Sequence, residues 1–567
     1  MQTKSETRNK IQFEHAYVAY QQGNLLQAEM LCKEILQTVP LKTAEGFQSA
    51  YLLGVIEYQN SEFETAAKHL QQALTVNSEH PQLLNALGGV YIGQEKYEVA
   101  QPLLEKAVRL SPRFQDARTN LAICYRGLDQ TSQAIRVLKE SKQLGIDNAN
   151  GAKLLAECLM DQSDYSEAEN LLIEQLGREP EDWYALNLLG ICTSKQENFT
   201  KACSYFERAQ ALSATNTAIE LNLASAYQQA GNFEKAEVIY HSVLGKDSDL
   251  DELIKSKAQF NLAISQLNQL KLKEGWKNYQ ARPGRYVTQD STPGDLKNAV
   301  VQLVADQPLG DELFFLRFTH ELKERCAEIH YVAPYKLKSL LSYAPSIDRI
   351  LDEIDLTLAD LTLSTSDLPA LLGCSTPDQQ PSALPLNIDP LMLEKFKESL
   401  NLDFSKPLIA LTWRAGASIS NTNIENPLYK NIPLELLTSS LKSIEGNFCI
   451  IQRFPEDKEI SVLERELKGK VTNFSHLNES LLDMAMLLKL CTSYVGVSNT
   501  NMHIHAGLGG HAHVFVPYPA EWKWGRQNNS NIWFSDFNAY HQDENYSWDT
   551  ALEQLRTTLS RQVESSA

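Results

Sequence analysis

The stretch Gly88-Gly-Val-Tyr-Ile-Gly-Gln-Glu-Lys-Tyr-Glu-Val-Ala100 contains the pattern that decides the fold of the first half of the chain. It begins and ends with a small residue, and the same pair recurs 34 residues later as Ala122 and Ala134. A small side chain is needed where two helices approach each other most closely, because a larger one would push their backbones apart. The stretch therefore predicts a packed pair of helices that is repeated along the chain.

The small-residue pattern extends over about half of the chain. The first position of each unit is occupied by Ala16, Gly54, Gly88, Ala122, Ala156, Gly190, Ala224 and Ala263. The second position is occupied by Ala28, Ala66, Ala100, Ala134, Ala168, Ala202, Ala236 and Gly275. One helix pair cannot bury its own apolar face, so such units must stack on their neighbours. The pattern resembles the tetratricopeptide repeat (TPR) family over residues 9–283, as about eight helix pairs.

The TPR resemblance implies an all-α solenoid whose concave groove binds an extended peptide or a helix of a partner protein. Self-assembly through the same surface is the alternative. Gly23-Asn24 and Gly231-Asn232 predict turns in which a left-handed residue ends the first helix of a unit. The last unit, Gly275 to Arg282, contains Trp276 and Tyr279 and predicts a capping helix that docks onto the next domain. Residues 284–297 have the Pro, Gly, Ser and Thr content of a linker.

The hydrophobic pattern changes to an alternation of strands and helices from residue 298. Val300–Ala305 and Ile329–Ala333 predict buried strands, and Ile347–Ile350 and Leu356–Leu358 predict weaker ones. Helices are predicted over Leu313–Arg325 and Tyr335–Tyr343. This alternation is typical of a parallel sheet covered by helices. Residues 364–390 are rich in Ser, Thr, Pro and Asp and predict a linker or a loop on the substrate side.

A second α/β unit begins at residue 401. The predicted strands are Pro407–Trp413, Phe448–Gln452, Tyr494–Val497 and His513–Val516. The predicted helices are Leu481–Cys491, one that begins near Met502, and Trp548–Val563. The second half of the chain is therefore predicted to contain two α/β units, residues 298–400 and 401–567, with a cleft between them. Ligands of open parallel sheets bind at the carboxyl ends of the strands.

Composition narrows the classes of function. The formal net charge of -19 argues against non-specific nucleic-acid binding, which needs a basic surface. The nine cysteines form no CxxC pair and predict free thiols in a reducing compartment. The N-terminus is polar, and the sequence has no apolar run of ~18 residues, so neither a secretory signal nor a membrane span is predicted. We expect a cytoplasmic protein.

Two motifs contain candidate catalytic or binding residues, the first in residues 298–400 and the second in residues 401–567. Gly310-Asp311-Glu312 comes after the first strand, and a turn there places the Asp311 carboxylate at the mouth of the cleft, with the cap of the next helix as the alternative interpretation. Trp413-Arg414-Ala-Gly416 ends a later strand, and Tyr429-Lys430 lies beyond it. The guanidinium of Arg414 and the ammonium of Lys430 are suited to phosphate, and surface charges in loops are the alternative interpretation.

Two further motifs lie in the last part of the chain. Ser498-Asn499-Thr500-Asn501-Met502-His503 opens a helix, whose N-terminal N–H groups form a ready diphosphate site. Glu521-Trp522-Lys-Trp524 comes after the next strand, and its aromatic rings either stack on a sugar or base or pack between domains. His503-Ile-His505 and His511-Ala-His513 have no supporting ligands at metal-binding spacing, so no metal is predicted.

Together the motifs of residues 298–567 resemble those of the heptosyltransferase-like glycosyltransferases of the GT-B fold, and in particular the bacterial proteins in which TPRs precede such a domain. The resemblance implies two Rossmann-like halves and no bound metal or other cofactor. It implies Asp311 as the catalytic base. Donor binding is implied for Arg414, Lys430, Gln452, Ser498, Asn499, Thr500, Asn501 and His503, and a place near the substrates for Gly310, Trp413 and Trp522.

The activity implied by the resemblance is transfer of a sugar, with inversion, from a nucleotide sugar to a Ser or Thr hydroxyl of a protein recruited by the TPRs. Flagellin is the acceptor that the resemblance implies. Ser498 and Thr500 stand where heptosyltransferases have Asp and Gly, so the donor is expected to differ. Two alternatives remain: a non-catalytic TPR adaptor with a degenerate transferase domain, and a transferase that acts on a glycan or a lipid-linked acceptor.

Overall fold

The computed structural model describes residues 2–246, 250–286, 296–377, 380–400, 402–415, 430–527 and 530–566. By their internal contacts the residues form two compact units, Met1–Leu223 and Ala224–Ala567. The domain limits at residues 283, 297 and 400 stay a prediction. Most of the predicted linker, residues 287–295, lies outside the described residues, as do Gly416 and Tyr429 of the phosphate-binding motif.

The predicted helical repeat array is confirmed. Within the described residues up to 286 there are sixteen α-helices: α1 Gln2–Gln21, α2 Leu25–Thr38, α3 Ala44–Gln59, α4 Phe63–Val76, α5 Pro81–Gly93, α6 Tyr97–Leu110, α7 Gln115–Gly127, α8 Thr131–Gln143, α9 Ala149–Asp161, α10 Tyr165–Arg178, α11 Trp183–Lys195, α12 Phe199–Leu212, α13 Thr217–Gln229, α14 Phe233–Leu244, α15 Glu252–Asn268 and α16 Leu272–Tyr279. Short turns join the two helices of each pair, which places them side by side.

The turns within the pairs share a left-handed residue that recurs every 34 positions over six repeats. These residues are Ser61, Glu95, Asp129, Ser163, Glu197 and Gly231, with φ between 57° and 78°. Gly23 and Leu270 take the same conformation in the first and last pairs. Sequence analysis identified only the two glycine turns that are followed by Asn. Elsewhere, residues with a Cβ accept a conformation that costs them roughly 1–2 kcal/mol each.

The small-residue positions are occupied as the repeat pattern predicts. A Cβ added to Gly88 would lie 2.6 Å from Cγ of Leu104, and one added to Gly190 would lie 2.5 Å from a ring carbon of Phe206. Gly54 has the same relation to Leu70, at 2.5 Å. In each case the contacting residue lies on the second helix of the same pair. The two helices therefore touch directly at this position, and the large residue on the second helix fills the space that the small residue leaves.

The first α/β part contains a four-stranded parallel sheet. Its strands are β1 Val300–Val304, β2 Glu328–Val332, β3 Arg349–Leu351 and β4 Leu361–Ser364, in the order β3-β2-β1-β4. The helices of this part are α17 Leu309–Phe315, α18 Thr319–Lys323, α19 Lys338–Leu341, α20 Leu368–Leu372 and α21 Pro390–Ser399. The predicted helices 313–325 and 335–343 are each shorter, because short 3-10 segments interrupt them.

Two predictions for this part are wrong. Leu356–Leu358 is not a strand: Leu356 is 57% exposed, and the fourth strand is formed by Leu361–Ser364, which pairs with β1. The predicted linker 364–390 contains helix α20, whose Leu368 is fully buried. A short apolar run next to a Pro- and Ser-rich segment does not show by itself which of its residues face the core.

The second α/β part contains a six-stranded parallel sheet in the order β12-β9-β8-β5-β6-β7. Its strands are β5 Leu408–Leu411, β6 Asn447–Ile450, β7 Val471–Asn473, β8 Ser493–Val497, β9 Ala512–Val516 and β12 Phe537–His541. The strands β10 Arg526–Gln527 and β11 Ser530–Asn531 form a separate two-stranded antiparallel sheet. The helices are α22 Leu434–Leu441, α23 Asp457–Glu466, α24 Leu481–Leu490, α25 Thr500–Gly507 and α26 Asp549–Ser566. All four predicted strands are present.

The last repeat helix is anchored to the first sheet by buried charges. The Arg282 guanidinium lies 2.7 Å from a carboxylate oxygen of Asp306 and 2.7 Å from one of Asp367, and all three side chains are no more than 6% exposed. Asp306 comes after β1, and Asp367 comes after β4. Because a buried charge is stable only when it is paired, this bridge fixes the end of α16 against the carboxyl edge of the sheet.

The close approach at the repeat glycines predicts the effect of filling it. We expect Gly88→Val to destabilise the protein by about 1–3 kcal/mol, because its side chain would overlap Leu104. Gly177→Ala is the control, since nothing lies within 4 Å of its added Cβ and alanine favours the helix. The measurement is the midpoint of thermal unfolding, monitored by circular dichroism at the helix band. Equal midpoints for the two variants would contradict the packing argument.

Candidate functional site

The predicted site residues lie after the carboxyl ends of parallel strands, in the two sheets of the second compact unit. Gly310 and Asp311 come after β1, Trp413 and Arg414 after β5, and Gln452 after β6. The loop and helix after β8 carry Ser498, Asn499, Thr500, Asn501 and His503, and Trp522 lies beyond β9. Ligand sites of open parallel sheets form at this edge. The strand order therefore places the predicted residues where a ligand site is expected.

Asp311 is brought close to the helix after β8 by its neighbour Gly310. A Cβ added to Gly310 would lie 3.4 Å from the backbone nitrogen of Thr500 and 3.3 Å from Cδ2 of His503. Helix α17, which carries Asp311, thus touches the N-terminal turn of α25, and the absence of a side chain at Gly310 permits that approach. The helices that follow β1 of the first sheet and β8 of the second therefore pack against each other at this point.

Glu312 fixes the loop that leads from β1 into α17, the helix that carries Asp311. Its buried carboxylate accepts hydrogen bonds from the backbone N–H groups of Asp306 and Gln307, both at 2.7 Å, and from the Tyr331 hydroxyl at 2.8 Å. Burial raises the pKa of Glu312 to about 7. Of the two neighbouring carboxylates, Glu312 is buried and Asp311 is open to solvent, with a side chain that is 33% exposed.

Four charged side chains form a continuous chain at this edge, which we call the charge chain: Lys430, Glu521, Lys523 and Asp311. Lys430 pairs with Glu521, Lys523 lies 3.5 Å from the second oxygen of Glu521, and Lys523 also pairs with Asp311. Burial raises the pKa of the Asp311 carboxyl, and the Lys523 and Lys430 ammonium groups lower it by more, so it lies below its ordinary value. Asp311 is therefore ionised at neutral pH.

Lys430 is positioned by the strand end that carries Arg414. The Ala415 N–H donates to the Lys430 carbonyl oxygen at 2.9 Å, and Arg414 forms an isolated antiparallel bridge with Asn431. Two of the cations that sequence analysis assigned to the donor thus come from neighbouring backbone segments. Their side chains have separate partners: Lys430 pairs with Glu521, and Arg414 pairs with Glu459 at 3.1 Å.

The group formed by Trp413, Arg414 and Gln452 is held together by bonds within the protein. Gln452 Oε1 accepts the backbone N–H groups of both Trp413 and Arg414 at 3.1 Å. The Trp413 indole N–H donates to Glu459 at 2.7 Å, and its side chain is buried. Arg414 also donates to the Phe454 carbonyl oxygen at 2.6 Å. These residues shape the end of β5, and Trp413 and Gln452 expose almost no surface to a ligand.

The loop after β8 begins helix α25 in the predicted manner. The Asn499 side chain caps the helix by accepting the Met502 N–H at 3.1 Å. Asn501 is buried and donates to the Ile451 carbonyl oxygen at 3.2 Å and to Asn478 at 3.0 Å. Ser498 is also buried, whereas Thr500 is half-buried at the first turn. Thr500 and its N–H are therefore the best placed part of this motif to meet an anion.

His503 is enclosed by rings and cations. Its ring centroid lies 5.6 Å from that of Phe534 and 6.2 Å from that of Phe314. Burial lowers the pKa of His503 well below its ordinary value, and the charges of Lys523, Arg317 and Lys430 lower it further. The imidazole is therefore neutral at neutral pH and adds no positive charge to the edge.

Trp522 belongs to an aromatic cluster that joins three parts of this unit. Its ring centroid lies 5.2 Å from Trp276 of the last repeat helix, 5.1 Å from Phe314 of α17 and 5.8 Å from Trp533. The side chain is only 7% exposed. Of the two interpretations of this motif, the structure favours packing over stacking on a sugar or base.

Sequence analysis missed Lys523 and Glu521 as members of the charged edge, although it quoted their motif. The available signal was the alternation Glu521-Trp522-Lys523-Trp524 shortly after a strand, in which charged residues flank rings too large to remain exposed. Among the described residues, no group of three or more His, Cys, Asp or Glu side chains is arranged to hold a metal ion. A search of the same residues finds no helix with the length and apolarity to cross a membrane.

Family models match the repeats. Two tetratricopeptide-repeat models match residues 154–217 and 194–259, and a model described as anaphase-promoting complex, cyclosome, subunit 3 matches residues 94–175. The N-terminal half of the chain thus carries TPRs. Among solved structures, a TPR protein from Parabacteroides merdae is similar with 15% identity, over 45% of this chain and 98% of that chain, at a TM-score of 0.37.

Among the curated proteins that are similar to this chain are two of low identity. Protein FlbA of Caulobacter vibrioides is 22% identical over 451 residues, which cover 73% of this chain and 73% of that protein. Superkiller protein 3 of Schizosaccharomyces pombe is 22% identical over 201 residues, 32% of this chain and 14% of that protein. The match to FlbA is longer than the repeat array, so it includes part of the α/β region.

The environment of His503 predicts a contribution to acid sensitivity. The unfolded chain binds a proton at this residue near pH 6.5, and the folded protein does not. Because the unfolded state then holds more protons, stability falls as pH decreases below 6.5, by up to about 1.4 kcal/mol per pH unit. We expect His503→Gln to reduce this slope between pH 6.5 and 5, as measured by urea unfolding at each pH. The exposed His320→Gln serves as the control for the loss of one imidazole at the surface.

Proposed function

We propose that the protein is a glycosyltransferase of the GT-B type, which transfers a sugar from a nucleotide-sugar donor to a Ser or Thr hydroxyl of a protein. The observation that carries the proposal is the charge chain, in which an ionised and partly exposed Asp311 is held beside two lysines and the first turn of α25. A base, cations and a helix N-terminus at one strand edge are the groups that such a transfer requires.

The cations suit the leaving group of this reaction. Transfer of the sugar releases a nucleoside diphosphate, whose negative charge grows as the bond to the sugar breaks. Lys430 and Lys523 both contact Glu521, and the N-terminal turn of α25 at Thr500 faces Gly310 of α17. Fixed positive charges and helix N–H groups stabilise developing charge on phosphate oxygens.

Asp311 suits the role of general base. The acceptor hydroxyl oxygen attacks the anomeric carbon of the sugar, and its proton passes to the Asp311 carboxylate. The bond between that carbon and the phosphate oxygen breaks, and the nucleoside diphosphate leaves. Attack from the face opposite the leaving group inverts the configuration. A base within hydrogen-bond reach raises the rate of such a step by about 10²–10⁴-fold.

The repeat array suits recruitment of the acceptor, because TPRs present extended surfaces to proteins. Flagellin, the acceptor that the resemblance to TPR-bearing transferases implies, stays the acceptor of the proposal.

A non-catalytic adaptor is the second candidate, and one observation favours it. Both lysines of the charge chain are already paired with carboxylates of the protein, and Asn499, Asn501 and Gln452 are engaged with protein groups. An adaptor would use the repeats for partners, and its α/β units would bind no nucleotide.

The deciding experiment combines binding and turnover. The full chain is titrated calorimetrically with a panel of nucleotide sugars, and release of nucleoside diphosphate is then measured with the donor that binds. We expect Asp311→Asn to lower turnover by about 10²-fold or more without weakening the binding of the donor. Asp352→Asn, a surface carboxylate that is 93% exposed, is the matched control and should retain turnover. If no nucleotide sugar binds the wild type, the adaptor replaces the transferase.

A further inference from the structure

The charge chain is neutral as a whole. It contains two lysines and two carboxylates, each in contact with an opposite charge. The inner members are the least exposed: the Lys523 side chain is 9% exposed and that of Glu521 is 11% exposed. At the two ends, Lys430 is 17% exposed and Asp311 is 33% exposed. An anion that reaches this edge therefore meets lysines whose charge is already balanced.

An anion is able to pair with Lys523 only if one of the two carboxylates that contact this lysine, Asp311 or Glu521, moves away from it. Glu521 contacts both lysines and is nearly enclosed, so its movement would leave a charge buried without a partner. Asp311 contacts one lysine, lies at the end of the chain and can be rehydrated where it stands. Asp311 is thus the carboxylate that exchanges with an incoming anion.

The backbone around Lys523 is fixed, so only its ammonium group is able to change partner. Lys523 is the middle residue of a three-residue 3-10 segment, Trp522–Trp524, and lies between two buried tryptophans. Its carbonyl oxygen accepts a hydrogen bond from Asn531 at 3.0 Å, and its ammonium lies 5.5 Å from the ring centroid of Trp522. Two anions that compete for this ammonium would therefore share one fixed attachment point.

We propose that Lys523 is a positioning residue that holds Asp311 while the donor site is empty, and that the donor diphosphate takes Lys523 from Asp311 on binding. This inference rests on the proposed transferase function. A carboxylate that loses a neighbouring cation becomes a stronger base. Asp311 therefore gains its full strength as a base only when the leaving group is in place. The charge chain in this way requires that the donor binds before Asp311 acts as the base.

Inorganic diphosphate, the part shared by all nucleoside diphosphates, is the probe for this exchange. Its dissociation constant is measured by calorimetry on the full chain at pH 7.5. We expect Asp311→Asn, which removes the competing charge without changing the size of the side chain, to tighten binding about five- to tenfold. Lys523→Met should weaken binding about tenfold, and Lys523→Arg should restore it to within a few-fold of the wild type.

The double variant Lys523→Met with Asp311→Asn distinguishes competition for Lys523 from a general effect of removing a negative charge near the bound diphosphate. When Lys523→Met is already present, Asp311→Asn should change the dissociation constant less than twofold, because the contested lysine is gone. Thermal midpoints of each variant verify that it is folded, and Lys523→Arg preserves the test if Lys523→Met is unstable. Three results overturn the proposal: unchanged or weaker binding to Asp311→Asn, an equal tightening by Asp311→Asn in the presence and absence of Lys523→Met, and no binding of diphosphate by the wild type.

Failure of the exchange and failure of the transferase function give different results. If diphosphate binding changes as expected across these variants and no nucleotide sugar is turned over, the exchange stands and the transferase function fails. If a nucleotide sugar is turned over by the wild type and Asp311→Asn does not tighten diphosphate binding, the transferase function stands and the exchange fails.

Discussion

The contact of Trp276 with Trp522 is the interaction on which the arrangement of the candidate site depends. The two rings lie 5.2 Å apart at a nearly perpendicular angle, and Trp276 is 2% exposed. Trp522 immediately precedes Lys523, so the packing of the last repeat helix fixes the position of the lysine that pairs with Asp311. Edge-to-face aromatic contacts of this kind add to the large apolar area that each ring buries. The final repeat helices are in this sense part of the α/β architecture.

Charge neutrality constrains the same region. Arg282 is balanced by Asp306 and Asp367, and the two lysines of the charge chain are balanced by Asp311 and Glu521. Separated charges are costly where water is scarce, so each cation must bring its own carboxylate. The first set is nearly inaccessible and serves the architecture. The charge chain ends in a partly exposed carboxylate and is the set that a ligand can reach.

The interactions that determine the repeat array differ in sequence range from those that determine the two sheets. In the repeats, each pair of helices is set by direct contact at a small residue, and the left-handed turns accompany that contact even where Ser, Glu or Asp must adopt them. In the sheets, parallel pairing brings loops that are distant in sequence to one edge. The repeats are thus local in sequence, whereas the site is assembled from distant segments.

The sequence by itself determined the helical repeats, four of the six strands of the second sheet and the placing of Asp311, Arg414 and the Ser498–His503 motif at strand ends. These features depend on local periodicity and spacing, which are visible in one dimension. Only the tertiary structure decided that Leu361–Ser364 is a strand, that Trp413 and Trp522 are buried, and that Lys523 and Glu521 join Asp311 to Lys430. The ion pair of Lys523 with Asp311, for example, joins residues 212 positions apart. The partners in such contacts are set by the packing of whole elements, which local sequence patterns do not contain.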